Sequence, residues 1–110
     1  MKSLFGFAGL AVAVVMLSFG AMPAKAAADA DKGKEVFEQC AVCHNADSTE
    51  KKMGPGLKGL FKKEKLTNGK AVNDANVKAV INAGGNGMPA YADMLSDAER
   101  ADLIAYLKTL

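Results

Sequence analysis

A chain of 110 residues has room for one domain. Fourteen basic and 12 acidic residues leave a formal charge of +2, too small an excess for the basic footprint of a nucleic-acid binder. With only two cysteines and one histidine, a four-ligand zinc site made of soft donors is also excluded.

The chain opens on a leader. Lys2 supplies a short positive segment, and Leu4 to Phe19 is apolar apart from Ser18. Pro23 breaks any helix, and Ala24-Lys25-Ala26 places small residues at both key positions of an A-x-A cleavage site. Residues 1–26 therefore read as a secretory signal peptide cut after Ala26, which sends the protein to the periplasm. A retained membrane anchor is the alternative, because the uncharged run from Leu4 to Met22 approaches the ~20 residues that span a bilayer. Cleavage leaves residues 27–110 as the domain. Lys2 and Lys25 depart with the leader, so twelve basic residues then balance the 12 acidic ones. So small a domain buries a modest fraction of its surface and usually needs a staple.

Asp29 or Asp31 can cap a first helix that runs to about Cys40, with Val36 and Phe37 on its apolar face. Gly33 lies one turn before Phe37. A glycine inside a helix costs about 1 kcal/mol relative to alanine, so the close approach of another helix is expected there.

Cys40-Ala41-Val42-Cys43-His44 comes next and contains both cysteines and the only histidine of the chain. C-x-x-C-H is the attachment signature of c-type haem. Two thiols three positions apart can each add across one vinyl group on the same porphyrin edge. The histidine beside the second thiol then lies under the ring, where its imidazole can bind iron. Without the histidine, C-x-x-C would read as a redox disulfide or half a zinc site. No βαβ pattern surrounds the motif to favour a thioredoxin-like site. A haem would also be the staple, since it offers a large flat apolar surface to pack on.

Asn45 to Met53 is polar and reads as a surface loop, and Gly54-Pro55-Gly56 as a turn. Leu57, Leu60 and Phe61 suggest a single helical turn. Lys62 to Lys70 is a lysine-rich loop ending in Asn68-Gly69, a hairpin signal without alternating strands beside it. Lys51, Lys52, Lys58, Lys62, Lys63 and Lys65, with Lys70, crowd this part of the chain. They form either a basic docking side for an acidic redox partner or a merely solvated face.

Asn73 or Asp74 can cap a second helix over about 75–82, with Val77, Val80 and Ile81 on one face. The run Ala83-Gly84-Gly85-Asn86-Gly87 ends it, and Met88-Pro89 must be extended or turned. Ser96 with Glu99 is a capping box that opens a last helix, 97–109, striped by Leu103, Tyr106, Leu107 and Leu110. No strand, internal repeat or phosphate-binding glycine motif stands out.

If His44 holds one face of an iron, the opposite face decides the function. Without a second histidine, the α-amine, a lysine, a methionine or water remains. A thioether suits iron in this setting and raises its potential. Met53 follows His44 too closely to reach the far face, and Met94 reads as packing filler on the approach to the last helix. Met88 is delivered by a flexible glycine run and fixed by Pro89, the arrangement a ligand loop needs.

Taken together, Cys40-x-x-Cys43-His44, Gly54-Pro55-Gly56-Leu57, Gly87-Met88-Pro89-Ala90-Tyr91 and Leu95-Ser96-Asp97 resemble the small class I monohaem cytochromes c of bacteria, of c6 or c5 type. The resemblance covers residues 27–110. It implies an all-α class I cytochrome c fold, with three main helices and short turns around one covalent haem c. It implies that His44 and Met88 are the axial ligands, and that the carbonyl of Pro55 accepts a hydrogen bond from the other ring nitrogen of His44. Gly33 and Phe37 match the first helix of the family, and Leu103 and Tyr106 the last helix that crosses it. The implied function is that of a monomeric electron carrier, not an enzyme, shuttling between redox proteins such as a membrane reductase, oxidase or dehydrogenase. Nucleic acid is not a partner, and no membrane insertion persists after cleavage. The rival readings are a haem subunit of a larger oxidoreductase and a sensor or peroxidase-like haem with a displaceable distal ligand. Against the last, no second histidine is present, and the one arginine, Arg100, lies within the final helix.

Overall fold

The first ordered turn is set by Asp29. Its carboxylate accepts from the backbone N–H groups of Asp31 and Lys32 and caps helix α1, Ala30–Phe37. The computed structural model describes residues 27–110; the expected leader and its cleavage site lie outside the described residues. Two further helices follow. Asn73 caps α2, Asp74–Ala83, through the N–H of Asn76. Ser96 and Glu99 form a reciprocal capping box at the head of α3, Asp97–Leu107. A single 3₁₀ turn, Leu60–Lys62, lies between α1 and α2. Among the described residues, β pairing is limited to two isolated bridges, Lys65 with Ala71 and Gly85 with Met88. No helix among them is long and apolar enough to cross a membrane.

Helix α1 stops at Phe37, three residues short of the expected end at Cys40. The ladder tightens there, because Cys40 N–H and Ala41 N–H both donate to the carbonyl of Phe37, at 2.7 and 2.9 Å. Turns continue the winding through Cys43. Helix α3 is shorter than expected as well, ending at Leu107 in place of residue 109. Ile104, absent from the expected stripe, is buried beside Leu103 and Leu107, whereas Tyr106 is only half-buried.

Helices α1 and α3 cross where Gly33 lies. A side chain there would drive its first carbon into the carbonyl of Asp102 and to 2.8 Å from Cβ of Tyr106. The bare glycine lets the two backbones close on each other, which is the compensation its propensity cost requires. One turn later Phe37 meets Tyr106 edge to face, with ring centroids 5.3 Å apart. The carboxylate of Asp102 also accepts from the backbone N–H of Asp29 at 2.8 Å, tying the cap of α1 to α3. Phe37, Leu60, Val77, Ile81, Tyr91, Leu95 and the buried face of α3 share one core. Lys108 adds a peripheral clip: its ammonium lies 2.8 Å from Asp74 and 5.6 Å from the centre of the Phe61 ring.

Replacing Gly33 by alanine should gain about 1 kcal/mol in helix propensity. The clash is with backbone, which cannot swing aside, and overpacking of this kind costs about 1–3 kcal/mol or more. Gly33→Ala is therefore expected to be net destabilising, and Gly33→Val more so, in urea or thermal unfolding of the haem-loaded protein.

Candidate functional site

Cys40, His44, Pro55 and Met88 line one cleft. The turns after α1 explain the first two. His44 N–H donates to Cys40 O at 2.9 Å, a one-turn spacing that returns both side chains to the same side. Cys43 is rotated from them by roughly 100° per residue of helical winding. It does not line the cleft, and its Sγ lies 4.0 Å from Sδ of Met53 on the outer side. Burial pushes the Cys40 thiol above its ordinary pKa, and charge on Cys43 adds to the effect.

The loop from Asn45 to Leu57 is pinned against this motif. Gly54 N–H donates to Cys43 O at 2.8 Å, and Leu57 N–H to Asn45 O at 2.7 Å. These bonds bring the Pro55 carbonyl to 2.8 Å from Nδ1 of His44. A carbonyl can only accept, so Nδ1 is the donor, and Nε2 is the ring nitrogen left for a ligand bond. Gly54 lies flat against the imidazole; a Cβ there would come within 2.8 Å of Nδ1 and 2.9 Å of Nε2. The sequence marked Gly54 as a turn residue, but nothing in it signalled contact with the ring.

Met88 also lines the cleft, on a loop held by its own backbone. Gly85 N–H donates to Met88 O at 2.9 Å and Met88 N–H to Gly85 O at 3.0 Å. Asn86 and Gly87 between them have φ of 52° and 90°, so Asn-Gly makes a tight hairpin turn here. The glycines at 84 and 85 also have positive φ, and a Cβ on Gly84 would collide with the Met88 carbonyl. This glycine run is thus a fixed left-handed path, not a slack one. The other methionines stay away: Met53 and Met94 are 80% and 61% exposed. Met94 is therefore not the packing filler expected of it.

Apart from these groups the cleft is walled by Phe37, Leu57, Leu60, Val77, Ile81 and Leu103, with further apolar neighbours. Its polar rim is Lys63, Lys65 and Thr67, from a loop that turns at Asn68-Gly69 and closes through the bond from Leu66 N–H to Lys70 O at 2.8 Å. The cavity is open to solvent on one side and measures about 140 Å³.

The cytochrome c family model matches residues 30–110, the cleft and all three helices included. The chain belongs to the cytochrome c family. It is similar to a cytochrome c2 of Blastochloris viridis, 42% identical over 82 residues, which is 73% of this chain. The match spans 58% of that relative's length, less than two thirds. Against a cytochrome c of Chlamydomonas reinhardtii the identity is 36% over 112 residues, covering 84% of this chain and 96% of the other. Among solved structures, cytochrome c6 of the diatom Phaeodactylum tricornutum superimposes with a TM-score of 0.57 at 27% identity, over 74% of this chain and 92% of that one. The expected all-α class I cytochrome c fold is thereby established. As a family member this cytochrome is an electron-transfer protein, not an enzyme, with one covalent haem c. The cleft suits that group: a thiol, an imidazole and a thioether line an apolar cavity.

Because Gly54 leaves no room beside the imidazole, Gly54→Ala should push the ring off the Pro55 carbonyl. We expect a loss of about 1–3 kcal/mol in thermal unfolding. A shifted His44 ring signal in proton NMR of the reduced protein should accompany it.

Proposed function

We propose that His44 and Met88 are the two axial ligands, that Cys40 and Cys43 are the attachment thiols, and that the protein is a monomeric one-electron shuttle of the periplasm. The observation that carries the reading is the single apolar cleft lined by both His44 and Met88. Bound there, the haem supplies reversible exchange of one electron between ferric and ferrous iron.

The chain sets the terms of that exchange. His44 donates its Nδ1 proton to Pro55 O, which orients the ring and raises the basicity of Nε2. Met88 contributes a neutral, soft donor, which favours the ferrous state and raises the potential. With both faces held by protein, the site has no position for a substrate. The walls are apolar, so with the group bound little polar surrounding would have to rearrange when charge moves. Lys63, Lys65 and Thr67 are the groups suited to the two propionate carboxylates, as charge-assisted donors at the cleft mouth.

The lysine cluster then divides. Lys63 and Lys65 line the cleft, while Lys51, Lys52, Lys58 and Lys62 are exposed and do not. The latter four are the better placed to attract an acidic redox partner such as a membrane reductase or oxidase. A carrier must leave after delivery, so this docking is brief and electrostatic. The leader at residues 1–26, with its A-x-A site, supports export and cleavage; the purified domain should begin at Ala27.

Four measurements test this reading. The oxidised protein should show a thioether-to-iron charge-transfer band that is lost in Met88→Ala and kept in Met53→Ala and Met94→Ala. Its reduced form should resist carbon monoxide; ready binding in the unmodified protein would point instead to a displaceable distal ligand. Separately, electron-transfer rate with a membrane redox partner should fall steeply as salt is raised. Reversing Lys51, Lys52 and Lys58 to glutamate should slow it about tenfold or more at low salt. A flat salt response would remove the docking role.

A further inference from the structure

Arg100 is the one charged residue buried among the described residues, at 8% exposure. It does not line the cleft. A buried charge is expensive unless it is paired, so its partners show what holds it there. Its Nη2 pairs with Asp97, whose side chain is 85% exposed, so that pair is open to solvent screening. Its Nη1 donates to the backbone carbonyl of Ala92 at 2.7 Å. Its Nε is buried with no partner. A guanidinium is thus kept inside the protein with one donor idle and one on a loop carbonyl.

That carbonyl belongs to the loop that carries Met88. The loop leaves α2 after Ala83, turns back on itself between Gly85 and Met88, and then returns along the end of α2. Tyr91 N–H donates to Ile81 O at 3.0 Å, and Ala92 N–H to Asn82 O at 3.4 Å. Ala92 is therefore held from α2 through its N–H and from α3 through its carbonyl. Only Pro89, Ala90 and Tyr91 separate it from Met88, and Pro89 has a fixed φ. Movement at Ala92 has few soft torsions in which to dissipate before it reaches the thioether.

We infer that Arg100 is a positioning residue for Met88: by gripping the Ala92 carbonyl from α3, it fixes the returning limb of the loop that presents the sulfur to the cleft. This rests on the axial role proposed for Met88. The arginine does not line the cleft. Its contribution is to keep the internal ligand ahead of competing ligands from solution.

The experiment uses the full haem-loaded protein and titrates imidazole against the thioether charge-transfer band of the ferric form, with thermal unfolding recorded alongside. In Arg100→Leu the imidazole affinity should rise about tenfold, because a loosened loop leaves the internal ligand in place for a smaller fraction of the time. Arg100→Gln, which alters the side chain less, should raise it about threefold. Lys108→Ala is the control, since it removes the contacts to Asp74 and Phe61 made just past the end of α3. It should lower thermal stability and leave imidazole affinity within about twofold of the parent. The inference is overturned if both Arg100 variants bind imidazole as the parent does, or if Lys108→Ala raises the affinity as much as they do. If Arg100→Leu yields no haem protein, the glutamine variant against the control decides. Met88→Ala separates the two layers. A band that survives in it defeats the axial reading itself. A band lost in it, together with parent-like Arg100 variants, defeats only the positioning role.

Discussion

The backbone contact between α1 and α3 at Gly33 is the constraint from which the rest follows. Two helices that meet through side chains can slide by an ångström without much penalty. Two that meet through a bare glycine and a carbonyl cannot, because neither has a rotamer to change. The contact fixes α1 along its length, and the Phe37–Tyr106 edge-to-face pair fixes its rotation. Phe37 is also the residue whose carbonyl accepts the bonds that start the turns of the Cys40–His44 motif. The crossing of terminal helices and the placement of the imidazole are therefore consecutive links in one short chain of contacts.

The two sides of the cleft are built on different plans. On the histidine side the side chain is oriented by neighbouring backbone, through Pro55 and the glycine beside the ring. On the methionine side the backbone itself is the rigid part, a hairpin turn with consecutive left-handed residues that aims a flexible side chain. Methionine has the more torsions of the two side chains, so the stiffer backbone is where precision is required. Arg100 and the end of α2 extend this stiffness beyond the turn.

Much of this was legible in the chain before folding. The C-x-x-C-H spacing, the capping box at Ser96 and the unusual glycine within α1 each name a local chemistry that admits few alternatives. The end of α1 was not legible, because the switch from helix to tight turns depends on which carbonyl the Cys40 and Ala41 amides choose, and both patterns suit the same residues. Met94, on the approach to the last helix, reads as packing filler, yet it is exposed; a single methionine outside a periodic stripe carries little information on burial. The reach of Lys63 and Lys65 to the cleft and of Arg100 to Ala92 depends on tertiary geometry. Sequence showed those residues only as positive charges in a loop and in a helix.

Gly54-Pro55-Gly56 has one more implication. The proline ring fixes the direction of the carbonyl that the imidazole faces, and its flanking glycines are locked by the His44 ring on one side and by the backbone of Ser48–Glu50 on the other. The acceptor is thus placed by backbone packing, with no lysine side chain among the contacts that hold it. Evolution or an engineer could rewrite the outer charges while the imidazole keeps the orientation that this backbone gives it.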